Sequence, residues 1–308
     1  MMVSALVVAL ALGQTDPYVR SRVTANDTQS QCLFWTVPTI NWQLSSVGNP
    51  QSSDAQRQDE FRAIRDSVKS WQQVFDSCGN LSFSEGSLVD DRQVGYVVRG
   101  DNRNLFLFRS RRCVDVAPAS DACWSEDTCG NAYDCWDSDE RTIALTLTTY
   151  DEKSGIIYDS DIQLNASGFV FTTSNGPATC VQPGTGTPLN CVATDVQNTM
   201  THELGHLLGL DHTLLSSSVM YPRAPSGETS KRDIDAGSRD FVCFAYPKGR
   251  PSQSCFTPAF DTEDTRGGAL VLGPRAAGCS SAGATAWLPA LAGWALLVSR
   301  RRRGGSWT

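Results

Sequence analysis

Histidine occurs only three times in 308 residues, no two cysteines stand at C-x-x-C spacing, and no internal repeat runs along the chain. The missing cysteine pairs exclude a zinc ribbon, and the missing repeat excludes a fibrous protein. Charged residues make up 19% of the chain against 40% hydrophobic. That is too apolar for wholesale disorder and enough for one good core or at most two small ones. Positive charge is scarcest in the body of the chain. The formal net charge is −7, and setting aside the six arginines beyond residue 265 leaves −13 for residues 1–265. Such an acidic body repels a phosphate backbone, so no nucleic-acid partner is expected.

Cysteine, by contrast, is abundant. Eleven are scattered along the chain, far more than a reduced cytosolic enzyme of this size keeps, which points to an oxidising compartment. The apolar stretch Val3 to Leu12, followed by the small-x-small site Ala11-Leu12-Gly13, reads as a signal peptide over residues 1–13, although no Lys or Arg precedes it. Residues 14–31 then read as a short leader. At the other end, Ser280 to Ser299 carry no charge and are followed by Arg300 to Arg303. Twenty apolar-leaning residues just span a bilayer, and the arginines set a cytoplasm-facing end; a C-terminal amphipathic or buried helix is the alternative. Residues 249–278, rich in Pro, Ser, Thr and Gly, read as a linker, with Cys255 a candidate for bonding back to the body. A single domain is left over residues 32–248.

Within that domain, Ile40, Trp42 and Leu44 alternate with polar residues and predict a strand. Phe61, Ile64, Val68, Trp71 and Phe75 recur at steps of three and four and predict an amphipathic helix. Further strands are expected at Val94 to Val98, Leu105 to Phe108, Thr142 to Thr149 and Ile156 to Leu164. Cys113, Cys123, Cys129 and Cys135 fall between them in a loop that reads as a disulfide-stapled insertion. Cys180 and Cys191 bracket Gly184, Gly186 and Pro188 and are predicted to pair. For Asp159 and Asp161 two readings stay open: oxygen ligands of a structural calcium, or solvated loop carboxylates.

All three histidines fall in one segment, residues 202–212, reading HELGHLLGLDH. On a helix, His202 and His206 leave the same face one turn apart and can bind one zinc. Glu203 on the same turn is placed to move a proton and not to ligate. Thr194 to Gln197 supply a capping box for the helix start, and Gly209 a positive φ that ends it and returns His212 as third ligand. Three neutral histidines leave one coordination position open, the mark of a catalytic site.

This motif is the one carried by the metzincin zinc peptidases. Ser218-Val219-Met220-Tyr221-Pro222 stands where that family has its methionine turn, and Val-Met-Tyr-Pro resembles the matrixin branch. The closing stretch Lys231 to Tyr246 resembles that branch's closing helix, and the strand–helix start Pro38 to Phe75 and residues 155–165 resemble its bacterial members. The residue after the third ligand is Thr213, where matrixins generally have Ser, and no histidine remains for the second zinc of the animal enzymes. The resemblance implies an α+β fold: a twisted, mostly parallel sheet with three main helices, one of them bearing the motif. It also implies one catalytic zinc, Tyr221 and Pro222 walling the substrate pocket, and a monomer hydrolysing protein or peptide with Glu203 as general base and acid. A substrate strand is expected along the edge at residues 156–165. Gly278-Cys279, the apolar span and the arginine run resemble the MYXO-CTERM sorting signal of myxobacterial surface and secreted proteins, which implies a secreted or cell-surface product with a sorting or anchor segment over 279–308. Two other functions remain open on the residues alone: a surface zinc-binding or adhesion protein with little proteolysis, and a zinc hydrolase of a non-peptide amide.

Overall fold

The computed structural model describes residues 17–176, 178–180, 191–255 and 295–303. The expected signal peptide, and much of the expected linker and tail, lie outside these residues. Chain order begins with Val19–Arg20 (β1), Thr39–Leu44 (β2), Asp54–Cys78 (α1), Ser82–Glu85 (β3) and Asn104–Arg109 (β4). Three short helices follow, Cys113–Val116 (α2), Cys123–Glu126 (α3) and Cys129–Tyr133 (α4), and then the long strands Thr142–Tyr150 (β5) and Ile157–Asn165 (β6). Two-residue strands at Phe171–Thr172 (β7), Ala178–Thr179 (β8), Cys191–Val192 (β9) and Thr194–Asp195 (β10) lead into Val196–Leu207 (α5). Leu210–Asp211 (β11), Arg223–Ala224 (β12), a short 3-10 helix at Ser230–Arg232, Ala236–Ala245 (α6) and Ala295–Arg303 (β13) complete the described elements.

The main sheet runs β12-β13-β5-β6-β4-β2-β3. It is parallel except for the antiparallel pairs β5–β6 and β12–β13. Together with the three longer helices α1, α5 and α6, this is the mostly parallel sheet with three main helices expected of the α+β reading. The helix α1 forms because its start is capped twice over: the Ser53 side chain accepts from Gln56 N, and the Gln56 side chain accepts from Ser53 N. Its stripe Phe61, Ile64, Val68, Trp71 and Phe75 is buried on the sheet and on α5, each side chain contributing roughly 1.5–3 kcal/mol. Trp71 also donates its indole N–H to the carbonyl of Thr201, 2.9 Å away, fixing α5 against α1.

On the opposite side, the 113–135 insertion is closed by Cys113–Cys135 and Cys123–Cys129. Buried Arg109 joins it to the sheet through Gln163 at 2.9 Å and Asp134 at 2.7 Å. Cys78 pairs with Cys243 and Cys32 with Cys255, so the C-terminal end of the body is bonded to its beginning.

Several expectations are corrected. Residues 94–98 are not a strand: Gly95 N donates to Asp161 Oδ2 and Val94 N to Asn131 Oδ1, so side chains take the place of a ladder, and Val97 and Val98 are exposed. The described part of the leader, residues 17–31, packs into the body, with β1 pairing antiparallel to β11. The strand at 157–165 is not an edge, since β4 and β5 flank it on both sides. Of the expected membrane span, residues 280–294 lie outside the described residues and 295–299 lie in β13, parallel to β5; no helix among the described residues is long and apolar enough to cross a membrane.

Candidate metal centre

The helix α5 starts one residue later than the capping box implies. Asp195, not Thr194, is the cap: its carboxylate accepts from Asn198 N at 2.7 Å and is held by the Arg232 guanidinium. From this start, His202, Glu203 and His206 project from a helix buried along almost its whole length. Leu208 closes the last turn, and Gly209 at φ +98° reverses the chain, its N–H bonding to the carbonyl of His206. β11 then brings His212 back to the other two.

The three Nε2 atoms form a near-equilateral triangle: His202 to His206 3.1 Å, His206 to His212 3.1 Å, His202 to His212 3.2 Å. Tetrahedral ligands at about 2.0–2.1 Å from zinc stand roughly 3.3–3.4 Å apart, so the triangle fits one ion with little adjustment. The opposite ring nitrogens confirm the direction of the lone pairs. His202 Nδ1 donates to the carbonyl of Val219 at 2.5 Å and His206 Nδ1 to that of Leu210 at 2.9 Å, which leaves both Nε2 atoms as acceptors facing inward. Burial, and then the neighbouring His206 and His212, hold the His202 imidazole well below its ordinary pKa and therefore neutral, as a ligand must be. Among the described residues this is the one group of three or more His, Cys, Asp or Glu side chains arranged to hold a metal.

Glu203 is fully buried beside the triad. Its Oε2 accepts from the Thr146 hydroxyl at 2.6 Å, while Oε1 has no protein partner. Burial pushes the carboxyl up to about 8, against the opposing pull of the Thr146 hydrogen bond. A buried carboxyl with one orphaned oxygen suits a proton carrier for a molecule in the site. Thr146 was not anticipated from sequence, because nothing in the pattern of β5 separates it from its threonine neighbours.

Met220 is fully buried against α5, where a Cβ on Gly205 would meet its sulfur at 2.3 Å, so the small residue inside the motif is what admits the methionine. The turn is fastened by Asp235, which accepts from Ser218 Oγ at 3.0 Å and Val219 N at 2.9 Å while capping α6. The carbonyl of Met220 accepts from Thr213 N, tying it to the arm of the third ligand. Tyr221 and Pro222 follow, half-buried, between the turn and β12. Cys180 and Cys191 are joined, closing the loop ahead of α5.

Asp159 and Asp161 are neither solvated nor on a loop. Both are buried on β6, and Asp161 accepts from Leu105 N at 2.8 Å and Gly95 N at 2.5 Å. They are hydrogen-bonded to each other, and burial raises both, Asp159 to about 7 and Asp161 well above its ordinary value. Stability from a carboxyl raised this way is fully present below about pH 4 and lost as pH rises through 7. The melting temperature is therefore expected to fall between about pH 4 and pH 7, and Asp159→Asn to flatten that fall and stabilise the protein by about 2 kcal/mol above pH 7. Thermal melts of the two proteins across this range decide it; parallel profiles would remove the buried pair as the cause.

Residues 121–241 match the matrixin family of peptidases. The metalloendoproteinase 2-MMP of Arabidopsis thaliana is 39% identical over 57 residues, 18% of this chain, which spans 14% of that relative's length. Residues 121–241, the family match, contain β5, α5, the three histidines and the methionine turn, and omit β1, β2 and α1. By site geometry and by these likenesses, residues 121–241 are similar to a matrixin domain, the zinc-dependent metallopeptidase kind.

Proposed function

We propose that this chain is an exported, zinc-dependent endopeptidase. The observation that carries the reading is the triangle of three inward-facing Nε2 atoms beside a buried carboxyl with one unpartnered oxygen. Bound there, zinc would supply Lewis acidity toward a peptide carbonyl. His202, His206 and His212 would hold it, with Val219 and Leu210 orienting the first two rings. Glu203, oriented through Oε2 by Thr146, takes a proton from the attacking water at Oε1 and returns it to the departing amine. Tyr221 and Pro222, following the methionine turn, are suited to line the pocket beyond the scissile bond. Five disulfides support export to an oxidising compartment. Calcium at Asp159 and Asp161 has less support, since these carboxyls bond to each other and to main-chain amides.

A substrate strand has to add to β5, the long strand next to α5. One observation favours the second reading, a zinc-binding protein with little proteolysis: β13 already pairs with that side of β5. The oxidatively folded full chain, assayed on casein, separates the two. Cleavage that stops when a chelator removes one zinc per chain and returns when zinc is restored supports the peptidase. One tightly held zinc with no cleavage of casein or of unstructured peptides would overturn it in favour of the binding protein.

A further inference from the structure

The last carbonyls of α5 and those of the following turn are not left to solvent. Each is met by a donor from a distant part of the chain. Trp35 Nε1 donates to Leu207 O at 2.8 Å, the Tyr246 hydroxyl to Leu208 O at 2.6 Å, and Ser21 N to Gly209 O at 2.7 Å. The fourth carbonyl, that of Leu210, is different, because it accepts two hydrogen bonds: from His206 Nδ1 at 2.9 Å and from Ser21 Oγ at 2.9 Å. Ser21 is 2% exposed and uses all three of its polar groups here, since its carbonyl also accepts from Leu33 N at 2.8 Å. Around it, β1 pairs with β11 one residue before His212, Val19 opposite Asp211 and Arg20 opposite Leu210. Arg20 anchors this strand through the carbonyl of Gln253 at 2.8 Å and lies over the Phe241 ring.

We propose that Ser21 is a positioning residue of the metal centre, which holds the Leu210 carbonyl where it fixes the His206 ring and the turn that delivers His212. The inference rests on the reading that the three histidines bind zinc. The physical reason is that a carbonyl orienting a metal-ligating imidazole tunes affinity only while it is itself held. The Leu210 carbonyl comes just after the Gly209 turn, and the Ser21 hydroxyl, with β1 paired to β11, holds it in place. The N-terminal segment, outside the stretch that matches the matrixins, thereby becomes part of the site.

The test compares zinc affinity of the full chain by competition with a chromophoric chelator, alongside thermal melts of the metal-free proteins. Ser21→Ala keeps both main-chain bonds and is expected to bind zinc about 10-fold more weakly and to lose it at a higher pH than the wild type. Ser21→Thr, which keeps the hydroxyl, restores affinity to within about twofold. Tyr246→Phe removes the bond to Leu208 O, a carbonyl with no histidine on it, and so destabilises the metal-free fold without a matching loss of zinc. An affinity of Ser21→Ala within about twofold of wild type, or equal losses in Ser21→Ala and Tyr246→Phe, would overturn the proposal. If Ser21→Ala does not fold, Ser21→Cys, with a weak donor, takes its place with the same expected direction. Equal zinc binding by wild type and His206→Ala would instead sink the histidine reading itself.

Discussion

Glu203→Ala is expected to retain zinc and to lose peptide hydrolysis by about 10³-fold or more, within the range for removing a general acid–base group. The carboxyl is not among the metal-holding side chains: its Oε2 accepts from Thr146, and its Oε1 is buried with no protein partner. Among the described residues no acid joins the three histidines as a candidate ligand, so zinc binding is expected to be independent of Glu203. The fold should survive, because the substitution removes a buried, half-satisfied group from a helix and replaces it with the best helix former. Steady-state rates on a fluorogenic peptide, with zinc content measured on the same samples, give the answer. A variant that cleaves at the wild-type rate would exclude Glu203 from the chemistry.

Gly209→Ala should be the most damaging small substitution in the turn. The residue sits at φ +98°, and a Cβ there would come within 2.5 Å of the carbonyl oxygen of Leu33, a main-chain atom that cannot swing aside. Positive φ costs an alanine about 1–2 kcal/mol, and relieving the contact adds a comparable amount, for about 3 kcal/mol in all. For a domain of this size that is a fall of about 10 °C in melting temperature. The relief would move the turn that joins His206 to His212, so zinc affinity should fall with it. A melt within 2 °C of wild type and unchanged zinc binding would show that the turn is softer than its contacts indicate.

The ligands were legible in the sequence because metal chemistry demands particular side chains, and a helix repeats at fixed spacing. The stripe of α1 and the strands β5 and β6 were legible for the related reason that burial on one face leaves a period. What could not be read depends on which distant polar groups meet. The apolar run at Val94 to Val98 has strand composition, yet its amides are met by Asn131 and Asp161. Thr194 and Asp195 are both good caps, and only the Arg232 contact distinguishes the one used. Ser21, Trp35 and Tyr246 carry no pattern at all that ties them to α5, since they act on main-chain carbonyls that look alike in any sequence.

The bonds Cys32–Cys255 and Cys78–Cys243 are nested, and every residue of the metal centre from Thr146 to Asp235 lies inside both. The body is in effect a covalent ring within a ring. A single nick by a peptidase in a surface loop between residues 78 and 243 leaves two pieces that cannot diffuse apart and that migrate together until a reductant is added. In a medium full of proteolysis, such a molecule outlasts the first cuts made in it.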